Sequence, residues 1–319
     1  MSKVLIITNA QDIHTDLVLR EIRNRGHKVV RFHPDEYPSR LTCRYEQGAM
    51  TIHIDEANLH FSTDEITAVW YRRPRTPVPS TEISDIVHRT FIVEESQHLI
   101  ENMYMLLEHA TWVNPYFANI RARYKLLQAK IARQVGLEMP DIIVTNDPDT
   151  ARDFIARYNG NVVYKCVRTG VVKKPDGKTD VIFTNKLQTE DVAEIDQVRF
   201  APCVFQEYIE KRLELRVTIV GEKIFACAIY SQEKIETATD WRRGQAKFEP
   251  FNLPKEISTK LISFMKVYGL KYGAFDLILT PEGRFVMLEL NPNGQWAFVQ
   301  GFTGLPISEA LADLLTKRN

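Results

Sequence analysis

The segment from Ala274 to Leu290 reads as a β-hairpin, and two carboxylates within it narrow what the chain can fold into. The run Ala274-Phe-Asp-Leu-Ile-Leu279, the turn Thr280-Pro-Glu-Gly283 and the run Arg284-Phe-Val-Met-Leu-Glu-Leu290 have strand, turn and strand chemistry in that order. A four-residue loop from Pro281 to Arg284, or a two-residue loop at Glu282-Gly283, sets the same register, in which Asp276 faces Glu289. Side chains alternate along a strand, so Asn291 joins Glu289 on one face. Phe275, Leu277, Leu279, Val286, Leu288 and Leu290 are expected on the other. Like charges directly opposite destabilise a sheet unless something positive lies between them. A hard cation with oxygen ligands is the natural occupant. Magnesium fits, because it is held by one or two carboxylates while substrate phosphates complete its octahedron. The other reading is an exposed hairpin with scattered acids.

Length and charge set outer limits. A chain of 319 residues suits two or three packed subdomains. Lys+Arg 41 against Asp+Glu 41 gives no net charge, which argues against a dedicated nucleic-acid binder. Cys43, Cys166, Cys203 and Cys227 are widely spaced with no CxxC or Cys/His pattern, so they read as reduced thiols, three of them expected to be buried. No stretch approaches about 18 uninterrupted apolar residues. Met1-Ser-Lys leads straight into a strand rather than a signal peptide, so the expectation is a soluble, cytoplasmic protein with no membrane partner.

The opening Lys3–Thr8 strand, a helix from Thr15 to Arg25 closed by Gly26, and a strand from Lys28 to Phe32 make a β-α-β start. The first turn, Asn9-Ala-Gln-Asp-Ile-His14, has no glycine, so the dinucleotide fingerprint is absent and NAD and FAD drop out. Strands at Met50–Ile54 and Ala68–Tyr71 and a helix from Glu82 to His109 complete a first domain, 1–114. A second unit, 115–190, begins with a helix Ile120–Val135 closed by Gly136. Strands at Ile142–Val144, Val162–Val167 and Val181–Thr184 and a helix Asp149–Tyr158 follow. The third, 191–319, holds strands at Val204–Tyr208, Leu213–Val220 and Lys223–Tyr230, the hairpin, and helices near Pro254–Tyr268 and Ser308–Lys317. The class is α/β with α+β subdomains.

Lys165 stands in the middle of an apolar strand, where an ammonium needs an anion or a route to solvent; a sheet edge would serve as well as a phosphate. Glu214 and Arg216 share one strand face, as an ion pair or as site residues. Arg72 and Arg73 beside Tyr71, and Arg242 and Arg243 beside Trp241, are either solvated charge or a carboxylate-recognition set. Asp12 and His14 read as a surface loop pair.

Taken in order, these pieces resemble the ATP-grasp superfamily across nearly the whole chain. The resemblance implies phosphate-binding lysines at Lys125 on a helix and Lys165 on a strand, and an adenine-holding hinge at Phe205-Gln206-Glu207-Tyr208-Ile209. It implies a ribose-binding acid at Glu214, a phosphate-contacting arginine at Arg216, and metal ligands at Asp276, Glu289 and Asn291. Trp70-Tyr-Arg-Arg-Pro74, Trp112-Val-Asn-Pro115, Thr239-Asp-Trp-Arg242 and Leu288-Glu-Leu-Asn-Pro-Asn-Gly-Gln-Trp296 are similar to the macrocyclases of microviridin-type peptides, the graspetides. That resemblance implies an ATP-grasp fold behind an N-terminal open α/β pre-ATP-grasp domain, with ATP and magnesium as cofactors and a homodimeric state. The implied substrate is a ribosomally made precursor peptide, whose Asp or Glu side chains become acyl phosphates and are captured by Ser/Thr hydroxyls or Lys amines. Arg72, Arg73, Trp241, Arg242 and Arg243 would meet the acidic peptide. Two rivals share the nucleotide residues: a glutamate-adding or glutathione-synthetase-type ligase, and a non-catalytic ATP-binding regulator.

Overall fold

The computed structural model describes residues 2–54, 59–168, 170–174, 179–181, 185–234, 241 and 244–317. Strand β1 (Lys3–Ile7), the Ile13–Asn24 helix and β2 (Lys28–Phe32) form the expected parallel β-α-β start. Asp12 caps the helix by accepting from the His14 N–H at 3.1 Å. Gly26, at φ +73°, ends it, with the His27 N–H reaching back to the Ile22 carbonyl. Strands β3 (Leu41–Glu46), β4 (Ala49–Ile54) and β5 (Leu59–Ser62) form a separate antiparallel sheet. Sequence patterning marks only β4, because β3 is largely polar and exposed. β6 (Ala68–Tyr71) and β7 (Thr111–Val113) complete the first sheet in the order β2-β1-β6-β7, with the Ile86–Leu106 helix between them in the chain. All four β6 side chains are buried.

The single helix expected over Ile120–Val135 is two, Tyr116–Arg121 and Lys125–Gln134. The Gln128 side chain stitches the break by donating to the Ala122 carbonyl at 2.6 Å. Then come β8 (Ile142–Thr145), the Pro148–Arg157 helix and β9 (Val162–Cys166). A small hairpin of β10 (Val171–Lys173) and β11 (Thr179–Val181) follows, then β12 (Asn185–Lys186). Residues 182–184 of the expected Val181–Thr184 strand lie outside the described residues. β13 (Cys203–Glu207) enters this sheet, ordered β12-β9-β13-β8, so the sheet draws a strand from beyond residue 190.

The third unit is a five-stranded antiparallel sheet, β16-β15-β14-β17-β18. Its strands are β14 (Leu213–Val220), β15 (Lys223–Ile229), β16 (Phe248–Pro250), β17 (Tyr272–Leu279) and β18 (Phe285–Asn291). Leu215, Val217, Phe275 and Leu277 of this sheet pack with Ile131 and Phe264 from the Lys125–Gln134 and Lys255–Tyr268 helices. A second core joins Val220, Cys227 and Tyr272 to Ile6, Trp70 and Leu311, so the first and third units share buried surface.

The β17–β18 hairpin corrects one expectation. Thr280 and Arg284 close a three-residue loop, with Gly283 at φ +89°, rather than a two- or four-residue one. Leu288 is then the extra residue of a bulge, since Leu277 pairs with Met287 while Asp276 pairs with Glu289. The two acids meet as expected. Val286 and Leu288, however, turn away from the core to pack with Ile209 and Ile278, while Phe285 and Met287 take the core side.

All four cysteines are free, but only Cys227 is buried. Cys43 lies on an edge strand, and Cys166 and Cys203 pair at strand ends, which leaves all three half-exposed. Among the described residues no helix is long and apolar enough to cross a membrane.

Candidate active site

One row of charge crosses three strands. Arg216 on β14 is the register partner of Asp276 on β17, which in turn partners Glu289 on β18. Arg216 Nη1 donates to Asp276 Oδ1 at 2.5 Å, while Nε and Nη2 donate to the Gln295 carbonyl at 3.3 and 3.1 Å. Asn291 Nδ2 lies between the carboxylates, 2.8 Å from Glu289 Oε1 and 3.3 Å from Asp276 Oδ2. Lys125 Nζ closes the row at 2.8 Å from Glu289 Oε2. The order is positive, negative, negative, positive, which relieves the repulsion that two facing acids would otherwise suffer. Burial pushes the Glu289 carboxyl up, but Lys125 and the Asn291 amide outweigh it and hold its pKa below the usual value. Burial likewise opposes charge on Arg216, and Asp276 more than compensates, leaving its pKa raised.

Lys125 reaches this row because of a residue that sequence reasoning passed over. Buried Gln128 accepts from the Leu290 N–H and donates to the Leu290 carbonyl, both at 2.8 Å, so its amide completes the edge of β18 as a strand would. Residues three apart share a helix face, which sets Lys125 beside Glu289. The available signal was a glutamine on a helix whose neighbouring Ala129, Ile131 and Ala132 are apolar.

Lys165 comes from the other sheet. β9 lies between β12 and β13, so the sheet-edge explanation falls away. Its Nζ donates to Gln206 Oε1 at 2.6 Å. Burial and the nearby Lys125 charge lower its pKa, Glu289 opposes them in part, and the result is about 8. Tyr208 donates its N–H to the Asn161 carbonyl and Glu207 to that of Asp141, both at 2.9 Å, fixing the 205–209 hinge. Lys186 Nζ sits 4.3 Å from the Tyr208 ring centre. Ile209, Ile278, Val286 and Leu288 make an apolar platform beside the charged row. Glu214 pairs in register with Ile278 at the platform's edge and accepts from Lys211 Nζ at 2.9 Å.

The donors gathered by Asp276, Glu289 and Asn291 are two carboxylates and an amide, without His or Cys. That set fits a hard divalent cation.

The arginine clusters divide. Arg72 is 1% exposed and Asp12 and His14 are 7% and 6% exposed, so all three are buried rather than presented on the surface. Arg72 Nε lies 3.1 Å from Asp12 Oδ2, and Nη1 donates to the Gly294 and Asn293 carbonyls. The substrate reading of Arg72 is therefore corrected, as is the surface-loop reading of Asp12 and His14. Burial behind an all-apolar strand turned their charges toward one another. Arg73 is exposed. Trp241 packs against Phe248 and Phe298, and the Phe298 ring centre is 5.9 Å from the Arg216 guanidinium carbon. Arg242 and Arg243 lie outside the described residues.

Residues 3–121 match the family model of the MvdD pre-ATP grasp domain, and residues 122–315 match that of the RimK-like ATP-grasp domain. The chain belongs to the RimK-like ATP-grasp family. It has the ATP-grasp fold behind a pre-ATP-grasp domain and is an ATP-grasp ligase. Macrocyclase MdnC of Microcystis aeruginosa MRC, solved bound with precursor peptide MdnA, is 32% identical, covering 98% of this chain and 99% of that one with a TM-score of 0.88. The RiPP-associated ATP-grasp ligase of Chryseobacterium gregarium, solved with ADP and a leader and core peptide, is 32% identical. It covers 99% of this chain and 96% of that one with a TM-score of 0.90. A curated relative from Xanthomonas oryzae, named "Probable alpha-L-glutamate ligase", is 24% identical over 99% of this chain and 97% of its own length.

Proposed function

We propose that this ATP-grasp ligase is a peptide macrocyclase that uses ATP and magnesium to join acidic side chains of a ribosomal precursor peptide to side-chain nucleophiles. The carrying observation is the continuous row Arg216–Asp276–Asn291–Glu289–Lys125. It stands in a chain alike along its full length to two peptide-modifying ligases. In this reading the 205–209 hinge and the apolar platform take the adenine, Glu214 takes the ribose, and Lys125 and Lys165 take the phosphates. Asp276, Glu289 and Asn291 would hold magnesium, which when bound screens the triphosphate charge.

Arg216 meets the transferred phosphate with its planar fork. A substrate carboxylate oxygen attacks the γ-phosphorus and ADP leaves. A Ser or Thr hydroxyl, or a Lys amine, then attacks the acyl carbon, loses its proton and expels phosphate. Ester formation is the proposed outcome, by likeness to the macrocyclases. Exposed Arg73 is assigned to the acidic peptide, and so are Trp241, Arg242 and Arg243.

A glutamate-adding ligase is the second reading, favoured by the curated relative that spans the whole chain. Mass spectrometry of an acidic precursor peptide incubated with enzyme, ATP and magnesium separates the two. Macrocyclisation lowers the peptide mass by one water, roughly 18 mass units, per ring. Addition of a glutamate residue, or ADP release driven by free glutamate but by no peptide, would overturn the proposal. Mild base then opens esters and leaves amides intact.

A further inference from the structure

The segment Pro292–Trp296, which follows the last metal-site residue, is held at every position. Asn114 Nδ2 donates to the Pro292 carbonyl at 3.0 Å, and Asn119 Nδ2 donates to Asn293 Oδ1 at 3.0 Å. Arg72 Nη1 donates to the Asn293 carbonyl and, at 3.0 Å, to that of Gly294, which also accepts from the Tyr272 hydroxyl at 2.8 Å. His14 Nε2 accepts from the Trp296 N–H at 3.1 Å. Because that nitrogen accepts, the ring proton sits on Nδ1, 2.9 Å from Asp12 Oδ1, and Asp12 in turn faces Arg72. A Cβ at Gly294 would stand 2.3 Å from the Ala274 Cβ, so the segment lies flush on β17 with no room to shift toward it. The remaining carbonyl, of Gln295, points the other way and grips Arg216 through Nε and Nη2.

We propose that Arg72, with Asp12 and His14, is a positioning residue of the first domain that sets the 292–296 segment and, through the Gln295 carbonyl, aims Arg216 at the transferred phosphate. The inference rests on the role given to Arg216 above. Nη1 of Arg72 donates to two successive carbonyls while a second nitrogen, Nε, faces Asp12, so one rigid planar group spans the segment and the acid. The amide and ring contacts around it hold a segment that grips Arg216 through the Gln295 carbonyl and is tied back to β18 by the Gly294 N–H, which donates to the Asn291 carbonyl at 3.1 Å. A small displacement there reaches the reacting group in full.

The test compares affinities for ADP and for a non-hydrolysable ATP analogue, both with magnesium, by calorimetry on the full chain. Their ratio reads the terminal phosphate. Arg72→Met is expected to cut the analogue's advantage by about tenfold with ADP affinity held within about twofold, since small misplacements of a positioned group are costly. Tyr272→Phe, which keeps the packing and removes one hydrogen bond, is expected to cut it by about threefold. On an Arg216→Lys background, Arg72→Met should have almost no further effect, as expected of residues acting as one unit. Full additivity, or a wild-type ratio in folded Arg72→Met, overturns the proposal. If Arg72→Met fails to fold, a wild-type ratio in Tyr272→Phe overturns it equally. A wild-type ratio in Arg216→Lys alone would instead remove the role of Arg216, and the positioning role of Arg72 with it.

Discussion

Arg216 and Lys165 serve one site from opposite sheets, yet Arg216 is held by three hydrogen bonds to fixed partners and Lys165 by one. β14 buries all but one of its residues, whereas the last three of β9, Lys165 among them, are only half-buried. The charges of the five-stranded sheet are therefore balanced by folding itself, before any ligand arrives. The lysine of the four-stranded sheet has lost solvation, and the Glu289 charge only partly offsets burial and the nearby Lys125, so its pKa is lowered. One half of the site is pre-organised, and the other is completed by the nucleotide. Transition-state stabilisation is strongest from groups that need no reorganisation, so the two halves should respond differently to mutation.

The largest effect is expected at Glu289. Glu289→Gln keeps shape and the Asn291 contact but removes one of two anions that a cation needs. Turnover should fall by about 100-fold or more, the scale of losing a pre-organised electrostatic group. The melting temperature should change little, because the Lys125–Glu289 pair is partly exposed and such pairs contribute little. Turnover and melting measured across a magnesium titration check both halves of the statement. Wild-type turnover at every magnesium concentration would show that the row is structural.

Lys165→Met comes next, with a loss of about tenfold in kcat/KM for ATP near neutrality, typical of removing one charge-assisted hydrogen bond. Its sharper signature is in pH. With a pKa of about 8, the free enzyme's lysine is charged below that pH and neutral above it. Phosphates bind the charged form, so kcat/KM for ATP should be full below about pH 8 and decline as pH rises. In Lys165→Met that alkaline limb should vanish. A mutant profile that keeps the limb would assign the titration to another group and weaken the contrast between the sheets.

Sequence reasoning reached the pre-organised half more fully than the other features around it. The facing of Asp276 and Glu289 follows from a period of two, which survives even though the loop length was misread, because the Leu288 bulge restores the register. What a bulge changes is the face on its turn side, and there Val286 and Leu288 were misplaced. Gln128 was invisible for a different reason. Its partner, Leu290, is 162 positions away, and nothing local distinguishes a glutamine that will cap a strand edge from one that faces water. Arg72, Asp12 and His14 failed similarly: clustered charge usually means solvent, and contacts with the 292–296 segment, more than 200 positions away, reverse it. That β13, beyond residue 190, crosses back into the earlier sheet is a long-range pairing that no local signal carries.

The smallest expected effect separates the two sheets most finely. Gln206 Oε1 is the acceptor that Lys165 uses before nucleotide binds, and Gln206→Leu removes it while keeping similar bulk. An ammonium left with burial and the nearby Lys125 charge is harder to protonate, so the lysine pKa should drop below its value of about 8. At pH 7 the loss in kcat/KM for ATP should be only about twofold, because the bound phosphates replace the lost acceptor. At pH 8 the loss should be larger, as the alkaline limb moves toward neutrality rather than disappearing as it does in Lys165→Met. Profiles of the two variants run side by side decide whether Lys165 is held by its own sheet or by the nucleotide. An unshifted limb in Gln206→Leu would mean that Lys165 is as firmly fixed as Arg216, and that the four-stranded sheet is no less pre-organised than the row it faces.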